Sequence, residues 1–197
     1  MSKTGFPVVL SAPSGGGKST IAARLVAALP FLRRSRSVTT RPPRAGEAAG
    51  VDYDFVSPDE FARRRAAGAF AEWAEVHGHA YGTEKAFMDA EGAAGRCPLL
   101  VIDVQGGRAI KAYDPGALLL FLMPHSLTEL EARLRARSTE SAEAVERRLR
   151  NARKEIAEAH AYDYIVINDR LDDACEQARG LILRRFQHHQ EGETHHA

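Results

Sequence analysis

The stretch "SAPSGGGKST", residues 11–20, sets Gly15, Gly16 and Gly17 directly before Lys18 and Ser19. Residues of these types add little to a core but suit a polyanion. Glycines let the backbone curl so that successive N–H groups point inward at phosphate oxygens. A helix starting at Lys18 would add the partial positive charge of its N-terminus. The lysine can reach the β- and γ-phosphates of a nucleoside triphosphate, and the Ser19 hydroxyl can sit on Mg²⁺. The spacing matches G-x-x-x-x-G-K-[ST] except at its first position, where Ala12 stands in place of glycine. Alanine fits there comfortably only if the local backbone keeps a negative φ.

A second set of candidates lies in "SVTTRPPRAGEAAGVDYDFV", residues 37–56. Pro42 and Pro43 hold Arg41 and Arg44 in an extended presentation. Two guanidinium forks so placed could clamp a phosphate. Tyr53 offers a hydroxyl to the same oxygens. Downstream, "AFAEWAEV" alternates, and Glu72 shares a strand face with Phe70 and Ala74. A carboxylate on an apolar face needs a partner. "GHAYGT" then brings Tyr81 and Thr83.

The elements that must position these groups are readable from the apolar runs. Phe6–Leu10, Leu99–Ile102, Leu118–Met123 and Tyr164–Ile167 lack strict alternation, as strands covered on both faces of a parallel sheet do. Helical patterns over Lys18–Leu29 and Asp172–Phe186 accompany them, the second interrupted by Gly180. Apolar strand alternating with helix predicts an α/β core with a mostly parallel sheet. From Ser35 to Gly82 the pattern changes to short alternating strands with one brief helix, capped by Ser57, Pro58 and Glu60 and ended by Gly68. From Ser126 to His160 it becomes helical and heavily charged. Ser126 and Glu129 form a second capping pattern, and Leu127, Leu130 and Leu134 give a buried stripe. Val145, Leu149, Ala152 and Ile156 resume one after the break near Ser138–Ser141.

Composition bounds the rest. The chain has 197 residues, 44% hydrophobic and 27% charged, enough for one domain with small insertions. A formal charge of +1 gives no reason to expect nucleic-acid or membrane binding. Cys97 and Cys175 lack metal-ligand partners at useful spacing and read as thiols of a reducing compartment. No signal or spanning pattern opens the chain, so a cytoplasmic protein is expected. His188, His189, His195 and His196 sit in a polar stretch that reads as a mobile tail rather than a metal site.

The motifs together resemble the guanylate kinase family. They are A-P-S-G-x-G-K-S, S-x-T-T-R-x-P-R-x-G-E with the later D-Y-x-F-V, E-W, Y-G-T, I-D-x-Q-G and the terminal I-V-I-N-D, from about Val8 to the helix after Asp172. The resemblance implies a phosphate-loop NTPase core (1–34, 85–125 and 161–187), a small inserted α/β GMP-binding subdomain (35–84) and a helical lid (126–160), with 188–197 left as the tail. It implies transfer of the γ-phosphoryl group of ATP to GMP with Mg²⁺, in purine nucleotide metabolism. Residue by residue, it makes Ala12, Pro13, Ser14, Gly15, Gly16, Gly17, Lys18, Ser19, Thr20 and Asn168 the ATP-side positions. Arg41, Arg44, Tyr53 and Tyr81 become GMP-phosphate ligands, and Ser37, Glu72, Thr83 and Asp103 guanine-side residues. Arg137 and Arg148 become lid arginines that act with Lys18 in catalysis. The chain departs from the family's usual acids at Val101 and Arg170.

The chemistry of guanine agrees with this carry-over. Its N1–H and N2–H₂ donors lie on one edge, where a single carboxylate such as Glu72 can accept both. Adenine presents an N1 lone pair there, so AMP would leave the carboxylate unpaired, a difference worth roughly 10⁴–10⁵ in such sites. Three other functions compete. A scaffold domain related to these kinases would have lost the phosphate loop. A kinase for a sugar bisphosphate would not need Glu72, Ser37 and Thr83 arranged for guanine. A nucleic-acid binder working through Arg33–Arg44 would show steep salt dependence.

Overall fold

In the computed structural model, the described residues are 5–44, 46–76, 78–137 and 142–194; the side chains of 136, 137, 142, 144 and 192–194 are outside that description. The core sheet has five strands: β1 (Val8–Ser11), β2 (Leu32–Arg34), β7 (Cys97–Val101), β8 (Leu118–Pro124) and β9 (Tyr164–Asn168). Their spatial order is β2-β7-β1-β8-β9, with every neighbouring pair parallel. β1 stands at the centre, and Val8, Val9 and Leu10 are fully buried, which accounts for its unbroken apolar run. β1 begins two residues later than the apolar run because Pro7 lacks an N–H. Its carbonyl still accepts from Leu118 N–H at 2.8 Å. β2 went unread in the sequence: it is three residues long, and Arg33 and Arg34 are exposed at the sheet edge.

Helices cover both faces of this sheet. On one side, α1 (Lys18–Ala28) and α7 (Leu171–Thr194) bury Ile21, Leu25, Ala174, Ala178 and Ile182 against Leu10, Leu99 and Leu120. On the other, α3 (Lys85–Ala93) and α4 (Val104–Tyr113) bury Met88, Val104 and Ile110 against Val9, Leu100 and Phe121. Gly180 does not interrupt α7; a Cβ there would meet nothing within 4 Å, so the position is open surface. The tail expected from His188 onward is corrected in part. α7 continues to Thr194, and the His189 ring meets Phe6 edge-on at 5.4 Å, so the helix has an apolar contact that carries it past Phe186. Residues 195–197 lie outside the described residues.

A second sheet stands apart from the first. β3 (Ser37–Thr39), β4 (Tyr53–Phe55), β5 (Phe70–Val76) and β6 (His79–Glu84) are ordered β4-β3-β6-β5. β3 and β4 run parallel and the other pairs antiparallel. Its small core is Val38, Phe61 and Phe70, with Phe61 supplied by α2 (Pro58–Ala66). Ser57 caps α2 by accepting from Glu60 N–H at 3.2 Å. The Glu60 carboxylate turns to Arg63 and Arg64 instead of closing the box, because two guanidinium groups outbid one amide. Gly68, at φ +67, ends the turn as expected.

α5 (Leu127–Arg137) and α6 (Ala142–Ala157) form a helical pair with its own core of Leu130, Leu134, Val145, Leu149 and Ala152. Ser126 accepts from Glu129 N–H at 3.1 Å at its start. A 3₁₀ turn, Glu158–Ala161, leads from α6 into β9. Among the described residues, no helix is long and apolar enough to cross a membrane.

The central sheet carries the stability. Leu120→Ala, at a fully buried position of β8, should lower unfolding free energy by about 2–5 kcal/mol in urea titration. Val51→Ala, at a site 71% exposed, should change it by less than about 0.5 kcal/mol.

Candidate active site

The phosphate loop joins β1 to α1 across the C-terminal edge of the parallel sheet, where ligands collect in such folds. Gly15 and Gly17 both sit at φ +83, so each bends the backbone in a way side chains oppose. Space is as restrictive as angle. A Cβ on Gly15 would come within 2.8 Å of Leu134 on α5, and one on Gly17 within 2.9 Å of the Asn168 amide. Gly16 explains the unusual Ala12: a Cβ at 16 would stand 2.8 Å from the Ala12 methyl. One methyl fits between these two residues, and here residue 12 has it. Gly16 N–H donates to Pro13 O at 2.8 Å, tightening the turn.

Lys18 and Asn168 fix the loop from inside. Lys18 Nζ donates to Ala12 O at 2.5 Å, and Asn168 Nδ2 donates to Gly16 O at 2.9 Å. Asn168 is buried and braces the loop at the end of β9. Burial pushes the Lys18 ammonium below its ordinary range, while the carboxylates of Glu155 and Asp103 draw it back up. Ser19 and Thr20 are exposed on the first turn of α1.

The second sheet presents the other half. Glu72 on β5 lies opposite Thr83 on β6, and Thr83 Oγ1 donates to its Oε1 at 2.6 Å. Its residue is 6% exposed, and burial raises the carboxyl to about 7, with Thr83 lowering it and Asp103 adding to the rise. Ser37 and Tyr53 face each other across β3 and β4. Arg41, itself buried, donates through Nε to Tyr81 Oη at 3.1 Å and through Nη2 to Glu47 Oε1 at 2.9 Å. The other Glu47 oxygen accepts from Arg44 N–H at 2.8 Å. Arg41 also lies 5.3 Å above the Tyr53 ring. Hydrogen bonding to Arg41 holds the Glu47 carboxyl below its usual range, and burial raises the Tyr53 phenol.

Between the halves lies a cavity of about 270 Å³. Lys18, Ser37, Arg44, Tyr53, Glu72, Tyr81 and Asp103 all line it, so seven separately chosen residues from distant segments meet in one place. Arg41 and Thr83 stand behind this wall, bonded to Tyr81 and Glu72. Asp103 also caps α4, accepting from Gly106 N–H at 2.9 Å. Arg148 on α6 reaches the loop from above, where Nε and Nη2 donate to Ser14 Oγ at 3.1 and 3.0 Å. Arg137 ends α5, and its side chain lies outside the described residues.

Two residues of the site went unselected in the sequence. Glu47 stands three places after Arg44, in the quoted motif, and its spacing to Arg41 and Arg44 was the available signal. Glu155 stands seven residues after Arg148, two helical turns along the same face. It lines the cavity, and its Oε2 accepts from Ser14 N–H at 3.2 Å.

Comparison with known proteins gives the family. The guanylate kinase family model matches residues 4–184. A guanylate kinase of Syntrophotalea carbinolica is 46% identical over 183 residues, covering 93% of this chain and 87% of that protein. One of Anaeromyxobacter dehalogenans is 50% identical over 180 residues, covering 90% and 80%. The crystal structure of guanylate kinase from Anaplasma phagocytophilum superposes with a TM-score of 0.77 at 33% identity, over 92% of this chain and 86% of that one. With the family pattern running through nearly all of its length, and with both halves of the cavity built from that pattern, the chain belongs to the guanylate kinase family.

Proposed function

We infer that the protein transfers the γ-phosphoryl group of ATP to GMP, giving ADP and GDP. The observation that carries this reading is Glu72: a buried carboxylate, held on one oxygen by Thr83, lining a cavity that also holds Lys18. In its ionised form it accepts guanine N1–H and N2–H together, while Ser37 can donate to O6. Arg44, Tyr53 and Tyr81 take the GMP phosphate, and Arg41 holds Tyr81 in place.

The donor phosphates lie in the loop of Ala12–Thr20, with Lys18 on the β- and γ-phosphates. Arg148 and Arg137 of the α5–α6 lid close over the transferring group. The nucleophile is an oxygen of the GMP phosphate itself, so positioning and charge stabilisation suffice and no general base is needed. Closure of the lid and the GMP-binding sheet keeps water from taking the phosphoryl group.

The residues present fit Mg²⁺ as a nucleotide-borne ion. No group of three or more acidic, His or Cys side chains gathers among the described residues. Ser19 offers one hard oxygen beside Lys18, and Mg²⁺ ordinarily combines one or two protein oxygens with phosphate and water. Ser19 would hold it, and the ion would neutralise charge on the triphosphate. A cytoplasmic setting accords with the two free thiols, Cys97 buried and Cys175 half-buried.

ADP release from Mg-ATP, measured with GMP, AMP, CMP or no acceptor, tests the reading. GMP should stimulate strongly and AMP and CMP should not; slow hydrolysis indifferent to every nucleotide would refute it. Glu72→Gln should cut kcat/KM for GMP roughly hundredfold, since a charged hydrogen-bonding partner is lost, and leave the KM for ATP little changed. Lys18→Ala should lower kcat by about 10²–10³.

The pH dependence follows from the same carboxyl. Only ionised Glu72 accepts both guanine donors, so KM for GMP should fall as pH rises through about 7, and Glu72→Gln should abolish that dependence. Stability moves the opposite way. The folded chain keeps this proton from the ordinary 4.5 up to about 7, so the group's contribution to stability declines as pH rises across that window.

A further inference from the structure

Arg148 and Glu155 leave one face of α6, and both end on Ser14. The arginine takes the hydroxyl, and the carboxylate takes the backbone N–H at 3.2 Å. The same carboxylate attracts the Lys18 ammonium through space, without an ion pair between the two. Each draws the other toward its charged form against the burial that opposes it. Glu155 therefore occupies one backbone amide of the phosphate loop and places a negative charge in the field of its lysine. It also borders the cavity that holds Glu72 and Arg44, and the neighbouring one of about 310 Å³ lined by Arg148 and Arg108. A nucleotide phosphate and this carboxylate are both oxyanions. Side by side in a half-buried place they repel, and one amide proton serves one of them well.

We propose that Glu155 is an internal stand-in for phosphate, competing with the terminal phosphate of the nucleotide for the Ser14 amide and for the positive field of the loop. Arrival of the nucleotide displaces the carboxylate. Because Glu155 and Arg148 share a rigid helix, that displacement shifts the arginine from the Ser14 hydroxyl toward the incoming phosphate. Glu155 is a positioning residue in this scheme. It sets how hard the triphosphate must compete to enter, and it refills the loop as product leaves. The proposal rests on the assignment of the loop as the nucleotide phosphate site.

Calorimetric titration of wild type, Glu155→Gln and Glu155→Ala with tripolyphosphate, ATP and adenosine tests it. Loss of the competing charge should tighten tripolyphosphate and ATP about tenfold in both variants, the scale of one charged hydrogen bond. Adenosine, which has no phosphate, should bind all three proteins alike. A residue needed only to hold α6 in place would not separate phosphate from adenosine in this way. Melting curves of both variants identify those compared as folded protein, and the alanine variant decides if the glutamine one does not fold. Unchanged or weaker tripolyphosphate binding in the variants overturns the proposal while leaving the active site standing. Failure of wild type to bind ATP or tripolyphosphate overturns the phosphate-loop assignment along with it.

Discussion

A loop that curls its amide protons inward and buries an ammonium beside them concentrates positive charge in one small volume, and the rest of the site is arranged around that charge. The bend needs Gly15 and Gly17 at positive φ. Holding the bend needs contacts that leave no room for a side chain, from Leu134 on one helix and Asn168 at the end of a strand. The central strand, β1, delivers the chain to this point from the most buried place in the molecule. The bend is thus held by a strand end and a helix that cannot yield without exposing apolar surface.

Opposite charge is supplied from several directions. Asp103 and Glu155 counter the burial of Lys18, and on the far side of the cavity Glu72 faces the same field without an ammonium of its own. The outcome is two carboxyl groups that burial raises alike. At Glu155 the Lys18 charge and a backbone amide oppose that rise. At Glu72 only Thr83 does, and burial carries the carboxyl to about 7. In the proposed reaction, a base that brings two N–H donors completes what Thr83 begins, so recognition and charge compensation become the same event.

Much of this was legible before any coordinates. The loop was readable because its glycines, lysine and serine follow an apolar strand and open a helix. The residues proposed for guanine and phosphate are readable because Arg44, Tyr53, Glu72 and Tyr81 stand in a motif-rich segment, and their meeting in one cavity depends on the register of β3 with β4 and of β5 with β6. β2 was not readable, since three residues with two exposed arginines carry no strand pattern. The pattern of the sequence ends α7 at Phe186, because polar composition says nothing about a single aromatic contact, here His189 on Phe6. Glu47 and Glu155 were passed over for a shared reason. Each acts through a partner chosen in three dimensions, and acidic residues among many arginines look like ordinary ion pairing along the chain.

Glu47 has one further consequence. By gripping the Arg41 guanidinium with one oxygen and the Arg44 amide with the other, it ties both arginines to one carboxylate. A free arginine gives up several rotamers when it meets a phosphate. Here Arg41 surrenders them when the chain folds, long before any nucleotide arrives. The acceptor half of the cavity is consequently a rigid die, which keeps its shape as the sheet and the lid close on one another.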